Sequence, residues 1–297
     1  MLDNKQCDAF FAVAEHGSFE QAAIQLCISA SAVTLRVQAL EKELGQLLLI
    51  RARPCTLTHT GQQLFEHLQH SRRLEQNFLH HLTGCTPSQF FKVVIAANAD
   101  SLATWLLPAL NEVISKQKLI LEILLDDQSH TYALLEKGAA SACISVEPKA
   151  MKGCHAVYLG KMRYKMLATQ AFKRTWFSQG IHREALRIAP AIIFNHKDQM
   201  HFDLLEKQYG LVKGTYPYHY IPSSESFFTA VQLGLGYGMV PELQLKQVPE
   251  TNQLVELIPD MQLDIALYWH HWHQQSRPLQ YLTQHLIQHA GKYLNPA

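Results

Sequence analysis

Apolar positions in the first 58 residues fall on helical spacing. Cys7, Phe10, Phe11 and Ala14 stand at i, i+3, i+4 and i+7, predicting a helix with one apolar stripe that ends at Gly17. Ser18-Phe19-Glu20-Gln21 fits a capping box and starts a second helix. Its face of Ala22, Ala23 and Leu26 is small enough for close helix approach. After a short Cys27-Ile28 turn, Ser29 is placed to cap a third helix, with Val33, Val37, Leu40 and Leu44 turned inward and Gly45 closing it. Three compact helices with a tight turn between the second and third form a helix-turn-helix pattern. Leu47 to Ile50 reads as a short strand, Arg51-Ala52-Arg53-Pro54 as a basic turn and Leu57 as the start of a return strand, like the wing of a winged helix. From Thr58 to Leu82, apolar Leu64, Leu68, Phe78 and Leu82 flank a polar middle at His70, Ser71, Arg72 and Arg73. That pattern predicts one long helix, fit to serve as spacer and dimer contact. Gly84 to Ser88, with Pro87, is the predicted hinge.

Beyond residue 90 the pattern changes. Phe91 to Ala97, Leu119 to Leu125, Cys143 to Val146, Ala191 to Phe194 and Gly236 to Val240 read as short buried strands. Helical stretches separate them, including one from Ser101 and one over Tyr132 to Lys137, which predicts parallel α/β units. Apolar residues make up 47% and charged residues 17% of the 297, below the usual ~25% charged, so the chain can build real cores. A formal charge of +1 excludes a tail built for nucleic acid or for solvated disorder. No uncharged stretch reaches ~18 residues; the best, Ser226 to Pro241, is broken by Gly234, Gly236 and Gly238. The start, Met1-Leu2-Asp3-Asn4, reads as no export leader. Six scattered cysteines without a C-x-x-C pair suit neither a disulfide scaffold nor a zinc ribbon, so a cytoplasmic setting with reduced thiols is expected.

The segment from Phe10 to Thr60 resembles the LysR-type transcriptional regulators, carried by Gly17-Ser18-Phe19, Ala22-Ala23, Ser31-Ala32-Val33 and Leu40-Glu41. A narrower likeness, to the basic-amino-acid-responsive ArgP/LysG branch, rests on Asn98 to Pro108, Phe194-Asn195-His196 with Met200-His201, Ser223-Ser224-Glu225 and Leu267-Tyr268-Trp269-His270. Together these span essentially the whole chain. The resemblance implies an α/β protein with an N-terminal winged helix-turn-helix (1–58), a linker and dimerisation helix with hinge (59–88), and a two-lobed, periplasmic-binding-protein-like effector domain (89–297). Lobe I is expected at about 89–160 and 266–297, and lobe II at about 161–265. It implies a nucleoid-associated regulator of amino-acid export genes, with double-stranded promoter DNA, further copies of itself (a dimer, or a dimer of dimers), a small effector such as lysine or arginine, and RNA polymerase as partners. No cofactor, metal or membrane is implied. A ligand-insensitive nucleoid-type DNA binder, or a family member sensing an unrelated small molecule, remain alternatives.

With the stripe of the third helix inward, Ser29, Ser31, Thr34, Leu35 and Gln38 are the candidates for base edges and nearby phosphates. Gln38 can pair with adenine and Leu35 can touch a thymine methyl. Arg36, Arg51 and Arg53 are the candidate phosphate contacts, the wing arginines alternatively being a solvated turn. The family's pattern commonly has Gln at position 30, a polar residue at 35 and a basic one at 56, where this chain has Ala30, Leu35 and Thr56. Residues 1–58 hold five basic against six acidic side chains, a net of −1, so one such domain attracts DNA weakly and needs a partner copy.

In open α/β sheets ligands sit beyond the carboxyl ends of strands. Ser101, with Thr104, is expected to receive a ligand carboxylate, or simply to cap its helix. Asp126 and Asp127 are placed to take an ammonium or guanidinium head, or alternatively form a solvated strand end; Ser145 flanks another strand end, and Asn195 and His196 follow a further one. Ser223 and Glu225 complete the candidate set, with Glu225 alternatively an ordinary first-turn charge. Asn195 stands where the basic-amino-acid branch is expected to have Asp. In the run His270-His271-Trp272-His273, His271 and His273 share a strand face, but no partner has a telling metal spacing. The chain has no G-x-S-x-G, Walker, Rossmann or H-E-x-x-H motif, so no reaction is specified and no enzyme is expected.

Overall fold

The structure, a computed structural model, describes residues 2–83, 90–127, 130–246, 254–259, 261 and 263–296. The chain divides into two compact units, Met1–Pro87 and Ser88–Ala297.

In the first unit, helices α1 (Asn4–His16), α2 (Phe19–Leu26) and α3 (Ala30–Leu44) enclose a core of Phe10, Val13, Ala22, Val33, Val37 and Leu40. Side-chain caps start each helix: Asp3, Ser18 and Ser29 accept N–H bonds from Gln6, Gln21 and Ala32. Gly45 ends α3 at φ 66°, a conformation costly for any residue with a Cβ. Strands β1 (Leu49–Ile50) and β2 (Thr56–Leu57) pair antiparallel, and α4 runs from His59 to Thr83. Gly61 of α4 lies so close to the hairpin that a Cβ there would stand 2.0 Å from the Leu48 carbonyl oxygen. The expectation for Leu44 is corrected: it is 36% exposed, and Glu41 takes the inward place at 7%. The Glu41 carboxylate accepts the Leu48 and Leu49 N–H groups at 3.0 and 3.3 Å, fastening the end of α3 to β1. The predicted hinge, Gly84 to Ser88, lies outside the described residues.

The second unit opens with β3 (Phe91–Ala97) and α5 (Ala99–Ser101). A π-helical turn over Leu102–Leu106 leads into α6 (Leu107–Gln117). Pro108 has no N–H for the carbonyl four residues back, and the wider turn relieves that position. There follow β4 (Leu119–Leu125), α7 (Thr131–Glu136), β5 (Ala142–Ser145), the long β6 (Cys154–Thr169), α8 (Gln170–Trp176), α9 (Arg183–Ile188), β7 (Ala191–Ile193) and α10 (Met200–Tyr209). The unit closes with β8 (Tyr218–Tyr220), α11 (Ser224–Gln232), β9 (Gly238–Pro241), α12 (Glu242–Leu245), β10 (Leu254–Glu256), β11 (Leu263–Trp272) and α13 (Arg277–Ala290). Among the described residues, no single helix is long and apolar enough to cross a membrane.

The main sheet runs β10-β6-β11-β5-β3-β4, with β9 also on β6. Only β3 pairs parallel with its neighbours β4 and β5; every partner of β6 and β11 is antiparallel. The expected parallel α/β units are present in β3, β4 and β5 and in the separate β7–β8 pair, while the main sheet as a whole is mixed. The reason lies in the β6–β11 ribbon, two long strands that run the length of the unit. One end of the ribbon joins β5, β3 and β4, and the other joins β9 and β10, so the unit has two halves. Where they meet, the register slips between Leu267 and Tyr268, leaving Leu159 as an extra, buried residue on β6. Alternation of Lys161, Arg163 and Lys165 with buried Met162, Tyr164 and Met166 marks β6 as half-buried.

Candidate functional site

Two surfaces carry the chemistry, one in each unit. On α3, burial of Val33, Val37 and Leu40 leaves Ser31, Leu35 and Gln38 exposed, Leu35 at 66%. The Ser29 and Ser31 hydroxyls lie 2.9 Å apart. The Thr34 hydroxyl donates back to the Ala30 carbonyl at 2.9 Å, so it is turned along the helix, and Arg36 is half-buried. In the β1–β2 turn Arg53 is exposed, whereas Arg51 stands 3.7 Å from the Glu41 carboxylate and over the Phe19 ring. The exposed group therefore joins one small polar helix end, one apolar side chain and two arginines on a hairpin.

In the second unit, the ends of β3, β4, β7 and β9 and the start of α11 surround a cleft of roughly 540 Å³, open solvent at its mouth included. Four carboxylates line it: Asp100, Asp126, Asp127 and Asp198. Asp100 accepts from the Tyr164 hydroxyl at 2.7 Å and from the Ser224 hydroxyl at 2.6 Å, and Gln244 in turn donates to Ser224 at 2.9 Å. Burial drives the Asp100 carboxyl up from its ordinary range, against the pull of these two hydroxyls. Asp198 is pushed up to about 6, by burial first and then by repulsion from Asp127 and Asp100, although the Phe194 N–H bonds it at 3.2 Å. At Asp126 burial works against ionisation. The Lys197 ammonium at 2.6 Å and the Asp127 N–H outweigh it and hold the carboxyl low. The Asn98 side-chain oxygen Oδ1 in the same cleft is buried without a hydrogen-bond partner among the described residues.

Of the nine effector-binding expectations, Asp126 and Asp127 line this cleft and the rest do not. Helix α5 begins at Ala99 rather than at Ser101, so Ser101 is fully buried behind the cleft and Asp100 faces it. Thr104 is buried and donates to the Asp100 carbonyl. Ser145 is buried at the end of β5 and accepts the Glu147 N–H. Asn195 accepts the Lys197 N–H at 2.8 Å, and His196 is exposed with its ring against Tyr220. Ser223 caps α11 by accepting the Ser226 N–H, and Glu225 is an exposed first-turn charge that accepts from Ser223. Sequence reasoning missed Asn98, Asp100, Tyr164, Asp198, Ser224 and Gln244. Two of these adjoin residues it named, and the doubled serine 223–224 was the available signal: one caps, the other is free for the cleft.

A DNA-reading helix unit and an acidic pocket unit in one chain are the parts of a ligand-responsive transcription factor. Comparison with known proteins agrees. Residues 5–62 match the bacterial regulatory helix-turn-helix protein, lysR family, and residues 92–291 match the LysR substrate binding domain. The HTH-type transcriptional regulator ArgP of Photobacterium profundum is 38% identical over 99% of this chain and 98% of its own. Among solved structures, ArgP from Mycobacterium tuberculosis matches with TM-score 0.85 and 31% identity, covering all of both chains. Full-length LysG from Corynebacterium glutamicum with bound effector Arg matches with TM-score 0.77 and 31% identity over 99% of this chain and all of that one. This chain belongs to the LysR family of DNA-binding transcriptional regulators.

Proposed function

We propose that this regulator takes a small molecule with a cationic head, lysine or arginine, into the cleft bounded by Asp100, Asp126, Asp127 and Asp198. The observation that carries this reading is the excess of carboxylates: four converge, and among the described lining residues no basic side chain joins them, Lys197 reaching Asp126 from outside the lining. Such a site favours a mobile cation with several N–H donors. The charge that Asn195 lacks is supplied three residues later by Asp198, which supports a basic effector despite that departure. The similarity to an arginine-bound LysG points the same way.

The same reading gives the first unit its role. Ser29, Ser31, Thr34, Leu35 and Gln38 enter the major groove of promoter DNA, and Arg36, Arg51 and Arg53 meet phosphates. Residues 1–58 act as the reading head, 59–88 as dimer contact and hinge, and 89–297 as the sensor. The protein works as a dimer or dimer of dimers in the cytoplasm, on the nucleoid. It controls an amino-acid export gene with RNA polymerase as its further partner, and it performs no reaction. Ligand binding shifts the spacing of the reading heads because it favours one arrangement of the sensors.

The test is a thermal-shift and calorimetric screen of the full chain with lysine, arginine, and the uncharged analogues norleucine and citrulline. Stabilisation by the cationic pair alone supports the reading. Stabilisation by none, or equally by all four, overturns it.

A further inference from the structure

The C-terminal helix carries a feature that the regulatory reading does not use. His285 and His289 stand one turn apart on α13, their rings stacked at 3.9 Å with 16° between planes. Glu112 reaches them from α6, so that one donor atom from each of the three lies within 4.8 Å of the others. Among the described residues, no other trio of histidine, cysteine or carboxylate groups is this close. The histidines of the 270–273 run are engaged differently: His271 Nδ1 bonds the Trp272 carbonyl and His273 Nε2 the Cys154 carbonyl.

The orientation of His289 is informative. Its Nδ1 lies 2.8 Å from the His285 carbonyl oxygen. A carbonyl only accepts, so Nδ1 carries the proton and the Nε2 lone pair is left for another partner. Metal-binding histidines are commonly fixed by this outer hydrogen bond. The backbones beneath are fixed, because Leu279, Leu282 and Leu286 of α13 share one core with Ala109, Leu110 and Val113 of α6.

We propose that Glu112, His285 and His289 form a surface site for a borderline divalent metal ion, zinc, nickel or cobalt, completed by water. Two imidazoles and one carboxylate suit these ions; magnesium and calcium prefer all-oxygen shells. Donors on a tetrahedral ion sit about 3.3 Å apart, so the trio must close by side-chain movement. The stacked imidazoles must splay, because lone pairs in two nearly parallel ring planes do not converge on one ion, and Glu112 follows: its carboxylate is exposed and now holds Lys116, whose ammonium the ion replaces. The bound ion would tie the C-terminal helix to α6.

Equilibrium dialysis of the full chain against zinc, and the visible spectrum with cobalt, test the site. One ion per chain in the micromolar range is expected, with a melting temperature that rises with zinc. His285→Ala and His289→Ala should each weaken binding about tenfold or more, and Glu112→Gln less, with DNA and amino-acid binding unchanged. Lys116→Ala should tighten it. Absence of stoichiometric binding overturns the proposal. So does stoichiometric binding that survives in the double histidine variant, including binding that disappears only with His273→Ala.

Discussion

The two units handle polar groups in opposite ways. On α3 the groups proposed to meet DNA lie outside, on one continuous stretch from Ser29 to Gln38, positioned by three apolar neighbours on the same helix. In the sensor unit the groups proposed to meet the effector lie inside, gathered from segments spread between Asn98 and Gln244, and Asp127 and Asp100 bear on the state of Asp198. A surface of the first kind is fixed by local periodicity and tolerates substitution. A cleft of the second kind is a coupled system, in which one replacement changes the charge balance of residues a hundred positions away.

Glu41 offers the sharpest break of that contrast, being a buried carboxylate in the unit whose chemistry is otherwise exposed. Glu41→Ala leaves the Leu48 and Leu49 N–H groups buried without acceptors and should lower the stability of the first unit by about 2–4 kcal/mol. Urea unfolding of the full chain should show the first unit's transition moving and the sensor's holding still; a common shift would mean the units are not separate. In the sensor, Asp100→Asn should weaken lysine or arginine binding about 10–100-fold by calorimetry, while DNA affinity without ligand stays the same.

Asp198 sharpens the contrast through pH. Its carboxyl titrates at about 6, and a cation favours the ionised form, so affinity for a basic effector should rise about tenfold from pH 5 to pH 7. Asp198→Asn should flatten that profile. Folding of the unliganded protein runs the other way. A carboxyl whose folded pKa is raised contributes most at low pH, and that contribution is lost as pH climbs from the unfolded value towards 6. The smallest effect belongs to the exposed wing. Arg53→Ala should reduce the slope of log affinity for promoter DNA against log salt by about one, with ligand binding untouched.

The same contrast explains what could be read from sequence. Ser29 as a cap and Gly45 as a stop were legible because each acts on its own helix. Leu44 was misplaced because a helical period, extended to the last turn, cannot register that a carboxylate three residues earlier is needed indoors by the next strand. In the sensor the strand ends were legible, but the facing residue was missed by one position at Asp100 and at Ser224. There the outcome depends on where a helix begins, which rests on contacts with Tyr164 and Gln244. Nothing local distinguishes Asp198, whose environment is made by Asp100 and Asp127 across the cleft. The β6–β11 ribbon was detectable at Lys161 to Met166, where charged and apolar residues alternate, but its antiparallel pairing joins residues a hundred apart.

The extra residue at Leu159 has a consequence for how this protein can vary. Because the two partners of the ribbon fall out of step there, the strand's side chains are in phase with the interior on both sides only while its residue count is kept. Exchanging one amino acid between Cys154 and Thr169 leaves that phase in place. Deleting or inserting one would turn half of the strand inside out, so homologous genes should differ in this stretch by spelling and not by length.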